Sequence, residues 1–156
     1  MKLDGTFTFA GPRALVWELL QDPEVLARAL PGTERLESTG PDRFRGVMKA
    51  NVGPVSAATF EVSVALNDKR PPEHFTMQIE GRGRVGHIRG NATVDLDEQD
   101  GGSGTSMRYG SDVQVGGTIA AVGQRLIDSV ARSMMKQALE ALDREVRSRL
   151  EGGTRP

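Results

Sequence analysis

The last third of this chain carries an apolar pattern with the period of a helix. Between Thr118 and Leu150, apolar residues recur every three or four positions, which is the spacing of one helix face and not of a strand. A long region of strand-like alternation, interrupted by turns, precedes it. A long helix laid last across an antiparallel sheet leaves an apolar hollow between the two layers. The predicted inner face of its first half consists of Ile119, Val122, Leu126, Ile127, Val130 and Met134.

Strand-like alternation fills most of the remaining chain. A first strand is predicted over residues 3–9, where apolar and polar residues alternate. Gly11-Pro12 and Asp22-Pro23 then mark the starts of two short helices, because proline suits the first helical position and Asp22 can cap the second helix. Six further strands, separated by turns rich in Gly, Pro, Asn and Asp, are predicted near residues 34–39, 43–50, 55–67, 74–82, 87–97 and 105–115.

Composition limits the classes of partner. The 156 residues include 20 Lys plus Arg and 21 Asp plus Glu, so the net charge of −1 gives no support to nucleic-acid binding. Cysteine is absent, which excludes a disulfide framework. No apolar run reaches the ~18 residues of a membrane span. We therefore expect one domain over residues 1–151 with a short flexible tail at 152–156, located in the cytoplasm and at most peripheral at the inner face of the membrane.

The second half of the long helix has a differently oriented apolar stripe. After Gln137 the apolar positions rotate into another sector of the helix. This stripe is expected to pack either on the first short helix or on a partner chain, which leaves a homodimer open. Its members are Leu139, Leu142, Val146 and Leu150.

Several local motifs resemble one family. They are DPEVL at residues 22–26, LPGTE at 30–34, VGPV at 52–55 and GGTIAAVGQRLI at 116–127. Together with the element order, they make residues 1–146 similar to the carbon monoxide dehydrogenase G-subunit family of the START/polyketide-cyclase (SRPBCC) superfamily. The resemblance implies an α+β helix-grip fold, in which a seven-stranded curved antiparallel sheet wraps around a long C-terminal helix. It also implies service to a molybdenum hydroxylase of the CO or xanthine dehydrogenase type, in maturation or membrane recruitment.

Small residues at inward positions predict that the hollow is a ligand cavity. Aromatic residues make up only 4% of the chain, so few bulky side chains can fill the space. Gly46, Ala50, Gly90 and Ala92 fall at inward strand positions, and Gly123 and Ala131 lie on or beside the inner helix face. A lipophilic ligand, with a quinone or another isoprenoid lipid as candidate, is expected to contact Val62, Met77, Ile79, Met107, Tyr109, Val122, Leu126, Val130 and Met134.

Meander topology predicts where this cavity opens. Alternate connections share one end of a meander, so the turns 51–54 and 83–86 and the junction 116–118 should lie together. The two short helices are expected at that same end. The predicted entrance consists of Leu26, Leu30, Val52, Gly53 and Pro54.

Catalytic, metal and cofactor sites have little support, and none is predicted. The strand acids Glu61, Glu80, Asp95 and Asp112 alternate outward, and Tyr109 is interpreted as a core residue. The only histidines, His74 and His87, have no metal-ligand spacing. The GRGRVG stretch at 81–86 matches G-x-G-x-x-G but precedes a strand instead of a helix.

Three functions follow from these observations. The first is a non-enzymatic lipophile-binding accessory protein. The second is an assembly or recruitment factor that acts through its surface, with the stripe of residues 139–150 as its interface. The third is a cyclase-like enzyme, which would need a polar cavity.

Overall fold

A computed structural model describes residues 1–153. One long helix follows seven strands and two short helices. The strands are β1 (Lys2–Phe9), β2 (Thr33–Gly40), β3 (Arg43–Val52), β4 (Val55–Arg70), β5 (His74–Gly83), β6 (Gly86–Gln99) and β7 (Gly104–Gly116), and the helices are α1 (Arg13–Leu20), α2 (Pro23–Ala29) and α3 (Gln124–Gly153).

The strands form one antiparallel sheet in the order β1-β7-β6-β5-β4-β3-β2. Each of the last six strands pairs with its neighbour in sequence, as in a meander, and β1 closes the far edge against β7. With α3 lying across one face, this is the predicted α+β helix-grip arrangement, and the prediction of seven strands is confirmed. None of the helices within residues 1–153 has both the length and the apolarity needed to cross a bilayer.

The short helices start where their capping residues predict. The Asp22 carboxylate accepts a hydrogen bond from the Glu24 backbone N–H at 2.9 Å, and Pro23 occupies the first position of α2. Before α1, Gly11 lies so close to Val146 that a β-carbon there would be 2.4 Å from the valine side chain. The absence of a side chain at Gly11 therefore lets α3 approach the start of α1.

The long helix begins later than its apolar pattern predicts. Residues 118–122 form a separate 3-10 turn, and α3 starts only at Gln124. The cause is glycine on both sides of the turn, since Gly117 has φ +90° and Gly123 has φ +103°, which interrupt a helix. The Val85 carbonyl accepts hydrogen bonds from the Ile119 N–H at 2.7 Å and the Thr118 hydroxyl at 2.9 Å, so the turn is fixed to the β5–β6 connection.

At its other end, α3 continues through the predicted C-cap glycines and ends at Gly153. The predicted flexible tail therefore overlaps the helix at residues 152–153. Its remaining residues, 154–156, lie outside the described part of the chain.

The inner face of the sheet carries two apolar clusters. The main core lies where α1, α2 and the second half of α3 meet the sheet, and includes Phe9, Phe44, Phe75 and Leu96. The second core lies toward the other end of the sheet, under the first half of α3. Its buried members are Val52, Ala58, Phe60, Ile119 and Ile127.

The rotated stripe of α3 packs inside the molecule. Leu139, Leu142 and Val146 are buried in the main core beside residues of α1 and α2, and only Leu150, 38% exposed, remains outside. Of the two expected partners, helix one is therefore the one observed. The stripe is not available as the interface that a surface-acting assembly factor would need.

The short helices do not lie wholly at the predicted end. Phe9, the last residue of β1, pairs with Thr105 beside the β6–β7 turn, which is the opposite end from residues 116–118. The chain returns to the predicted end only after α2, where the Gly32 carbonyl accepts from the Lys49 N–H at 2.8 Å. The prediction placed both helices at one end because it did not include the pairing of β1 with the start of β7.

Candidate ligand-binding site

An apolar cavity of about 220 Å³ lies between the first half of α3 and the sheet. It occupies the end of the sheet that holds the second core. Every side chain that lines it is apolar except that of Lys49. The lining residues are Met1, Leu3, Met48, Lys49, Ala50, Val52, Phe60, Val62, Ile88, Val113, Val115, Ile119, Ile127, Val130, Ala131 and Met134.

This space exists because some of the lining side chains are short, and not because glycines face it. Ala50 on β3 and Ala131 on α3 line the cavity. At Gly46, by contrast, a β-carbon would lie 2.3 Å from the Arg35 carbonyl oxygen, and at Gly90 one would lie 2.9 Å from the Val113 side chain. The space beside these two glycines is therefore already occupied, and they permit close strand packing instead of opening a hollow.

The structure brings three of the nine predicted contact residues to the cavity, namely Val62, Val130 and Met134. Val122 and Leu126 pack against the second core without lining the cavity. Met77 and Met107 lie in or against the main core, and Ile79 is half-buried on β5.

Tyr109 does not line the cavity. Its ring covers Gly5 of β1, where a β-carbon would be 2.5 Å from the phenol oxygen. It lines a separate groove with Arg132, Met135 and Lys136 of α3. Tyr109 thus lies between the β1 edge and the helix.

Only some of the predicted entrance residues lie at the cavity. Val52 is buried and lines the cavity, whereas Leu26 packs against the main core. Gly53, with φ +57°, lies directly under Leu126, whose methyl carbon would be 2.4 Å from a β-carbon at that position. The Leu126 side chain therefore packs over the β3–β4 turn, which contains Pro54. Leu30 caps the end of α2 and is half-buried.

Several lining residues were absent from the predicted contact set. Ile88, Val113 and Val115 belong to the inward alternation of β6 and β7, and Val115 pairs with Ile88 in the row that also contains Val62. Their alternation was the available signal. It identified the face of the sheet but not which end of that face α3 leaves unfilled.

A polar cleft adjoins the cavity along α3. It lies between the helix and β3, with a volume of about 690 Å³. The cleft and the cavity share the lining residues Lys49, Ala50, Val130 and Met134, so the two spaces adjoin along these residues. The remaining lining residues of the polar cleft are Pro31, Gly32, Asn51, Ala57, Ser129, Ser133 and Gln137.

The acidic residues and histidines considered as candidate catalytic or metal-binding groups lie away from the cavity. Glu61 and Glu80 are exposed on the outer face of the sheet, and Asp112 is 3.9 Å from the terminal ammonium. The His74 ring lies between Asp95, 2.7 Å from its Nδ1, and Asp68, 3.1 Å from its Nε2. No carboxylate or imidazole from the described residues lines the cavity, and Lys49 is the one lining residue with a titratable side chain.

The remaining motifs have structural explanations. The glycine motif at 81–86 forms the β5–β6 hairpin, in which Gly83 pairs with Gly86. Within residues 1–153, no three His, Cys, Asp or Glu side chains gather as a metal site would require.

Comparison with solved structures identifies the fold. A conserved protein from Geobacillus kaustophilus is 24% identical, with a TM-score of 0.89 over 96% of this chain and 97% of that one. An aromatase/cyclase from a Streptomyces species is 19% identical (TM-score 0.70, 96% and 95% covered). A START superfamily protein from Mycobacterium smegmatis is 13% identical (TM-score 0.69, 94% and 97% covered).

Comparison of the sequence with family models identifies the family of this chain. No curated protein matches this chain significantly. The model of the family described as the G subunit of carbon monoxide dehydrogenase (CoxG) matches residues 5–147, which span β1 to the last turns of α3. This chain therefore belongs to the CoxG family.

Proposed function

We propose that this protein is a non-enzymatic accessory protein that binds a lipophilic ligand in the cavity beneath α3. The observation that carries the proposal is the lining, which is apolar at every position except Lys49. Small-molecule sites in proteins are mostly concave and apolar with a few polar groups at one side. No carboxylate or imidazole among the described residues lines the cavity, which favours binding over catalysis.

The volume of the cavity limits the ligand. A ligand that fills the 220 Å³ of apolar space removes its walls from water and supplies the dispersion contacts that they lack, so binding is favourable. A cavity of about 150 Å³ in another protein accommodates benzene, so this one has room for about nine carbon atoms.

The proposed partner is a molybdenum hydroxylase of the CO dehydrogenase type, served in maturation, in recruitment to the cytoplasmic face of the membrane or in the handling of a quinone or other isoprenoid lipid. Membership of the CoxG family supports this partner. Only part of a quinone or other isoprenoid lipid, about nine carbon atoms, can lie inside the cavity.

Ligand binding is tested with propylbenzene, an apolar molecule of about nine carbons chosen for the cavity volume. Calorimetric titration should show binding to the wild type and none to Val130→Trp, because the indole fills the cavity. The matched control is Ser148→Trp, which places the same ring at an exposed position of α3. Equal binding by Val130→Trp and the wild type, or no binding by either, would reject the proposal.

The partner is tested separately. Purified protein should co-sediment with a purified molybdenum-containing CO dehydrogenase. If no complex forms at micromolar concentrations with either the apo or the ligand-loaded protein, this partner is excluded while the binding of a lipophile still stands.

A further inference from the structure

We propose that the β5–β6 hairpin carries a binding site for a phosphate group, borne either by a lipid headgroup or by a small soluble molecule. The site goes beyond the proposed function, because it lies outside the cavity beneath α3 and does not depend on a ligand there. The inference rests on a basic concavity, on arginines without partners and on the distribution of charge between the two ends of the sheet.

A concavity of about 580 Å³ lies against the hairpin. It is lined by residues 80–89 together with Gly117 and Thr118 from the connection after β7. Three arginines and one carboxylate, that of Glu80, belong to the lining, so its charge is +2 with His87 neutral. The arginines are Arg82, Arg84 and Arg89.

The backbone that carries these arginines is fixed in place. Residues 84–85 alone connect the paired parts of β5 and β6. The Val85 carbonyl accepts hydrogen bonds from the Ile119 N–H at 2.7 Å and from the Thr118 hydroxyl at 2.9 Å. The hairpin is thereby tied to the chain that follows β7, and only side chains must become ordered when an anion binds.

Two of the three arginines are free to bind a ligand. Arg82 and Arg84 have no hydrogen bond or ion pair with any other residue of the described range, although Glu61 lies opposite Arg82 on β4. Arg89, by contrast, has its Nε 3.9 Å from the Glu80 carboxylate. A guanidinium group presents a planar fork of N–H donors that matches the oxygens of a phosphate, so two unpaired guanidinium groups on one hairpin favour this anion.

His87 adds a further hydrogen-bonding group beside Arg82. The two residues pair across the strands, which places their side chains on one face of the sheet with β-carbons about 5 Å apart. The ring of His87 covers Gly116, where a β-carbon would be 2.4 Å from the imidazole Nε2. The imidazole and the guanidinium can therefore contact the same anion.

Charge differs between the two ends of the sheet. Neither Asp nor Glu occurs in the chain segments at the end that holds the hairpin, which are residues 51–57, 82–88 and 116–127. At the opposite end, the connections 67–73 and 97–103 contain five acidic residues and two basic ones. The net charge of −1 for the whole chain therefore includes one basic end, to which an anion is attracted.

Two probes and a matched pair of variants test the site. Inorganic phosphate is titrated into isotope-labelled protein while NMR follows the arginine side-chain N–H signals. Co-sedimentation measures binding to mixed phosphatidylglycerol and phosphatidylcholine vesicles, against vesicles of phosphatidylcholine alone. The test variant carries Arg82→Gln and Arg84→Gln. The control carries Arg43→Gln and Arg45→Gln, which removes the same charge at the same spacing from exposed residues of β3 that also have no ion pair within residues 1–153.

The wild type should bind at least one probe, and the test variant should bind that probe about tenfold more weakly, because it lacks the charge-assisted hydrogen bonds of two guanidinium groups. The control variant should stay within about twofold of the wild type. Vesicle binding without a response to inorganic phosphate identifies a lipid headgroup as the source, and the reverse identifies a soluble phosphate. Binding of neither probe, or undiminished binding by the test variant, would overturn the site. Equal weakening in both variants would also overturn it, because the protein would then respond to anions through its net charge alone.

Discussion

At the scale of single residues, Gly53 allows the β3–β4 turn to pack against Leu126 of α3. Its φ of +57° lies in the left-handed region, where a side chain is disfavoured, and Leu126 of α3 occupies the space that a side chain would take. The turn is thereby held against the helix beside the cavity. The backbone conformation favours glycine, and a methyl group at this position would displace the end of the Leu126 side chain.

Gly53→Ala should therefore destabilise the protein by about 1–2 kcal/mol, because alanine is strained at this φ and displaces Leu126. The measurement is the free energy of unfolding from urea titration. Gly40→Ala is the control, since Gly40 has ordinary backbone angles and no heavy atom within 4 Å of the position that its methyl group would take, and its effect should stay within about 0.5 kcal/mol. Similar effects of the two substitutions would contradict this account of the turn.

Residue type alone could not distinguish a glycine that makes space from one that is enclosed. Gly46 and Gly90 fall at inward strand positions, as predicted, yet a β-carbon at either would meet neighbouring atoms within 3 Å. The crowding arises from the bulge between β2 and β3 at Gly46, and from the backbone of the paired strand β7 and the Val113 side chain at Gly90, which no local pattern specifies. Ala50 and Ala131, from the same predicted set, do line the cavity.

At the scale of elements, α3 performs two different tasks along its length. Its first half covers the second core and the cavity, and its second half fills the main core against α1 and α2. The change of apolar stripe after Gln137 corresponds to this division. One helix thus joins a loosely filled region to a tightly filled one.

Leu142→Ala should cost about 2–5 kcal/mol in the free energy of unfolding, because Leu142 is 4% exposed within the main core. Leu150→Ala makes the same change on the same helix at a residue that is 38% exposed, and should cost within about 0.5 kcal/mol. Urea unfolding measures both, and sedimentation reports the mass in solution. A stable Leu142→Ala protein with an altered mass would instead indicate that the stripe is an interface between chains.

Most elements could be predicted because their signals are local. Alternation identified the seven strands, and Asp22 and Pro23 identified the start of α2. The start of α3 was not predicted, because residues 118–122 continue the apolar period of the helix. The interruption arises from the φ of Gly123 and from the hydrogen bonds to Val85, and the second of these is a contact between distant parts of the chain.

At the scale of the whole molecule, the two apolar clusters differ in how completely they are filled. The main core contributes most of the stability, and the second core surrounds the proposed binding cavity. The main core contains most of the large buried side chains, including Phe9, Phe75 and Leu96, with Trp17 packed edge-on to Phe75 at 5.4 Å. The second core contains Phe60 and otherwise smaller residues around the cavity. A protein that keeps apolar space for a ligand gives up stability that a filled core would supply.

The position of the cavity was the part of the site least accessible to prediction. The sequence indicated the correct layers and three residues that line the cavity, Val62, Val130 and Met134. It could not indicate that α1 and α2 fill only one end of the sheet, because this depends on the pairing of β1 with the start of β7. Met77 and Met107 consequently belong to the filled end.

This division predicts opposite effects for one substitution at two places on α3. Ala131 lines the cavity, so Ala131→Leu should fill apolar space, stabilise the ligand-free protein by about 1 kcal/mol and weaken propylbenzene binding tenfold or more. Ala138, 3% exposed, lies two turns further along, where no space remains, and Ala138→Leu should cost about 1–3 kcal/mol. Urea unfolding and calorimetric titration measure the two quantities. If both variants lost stability alike, the first half of α3 would be as tightly packed as the second, and an empty chamber could not be the site of binding.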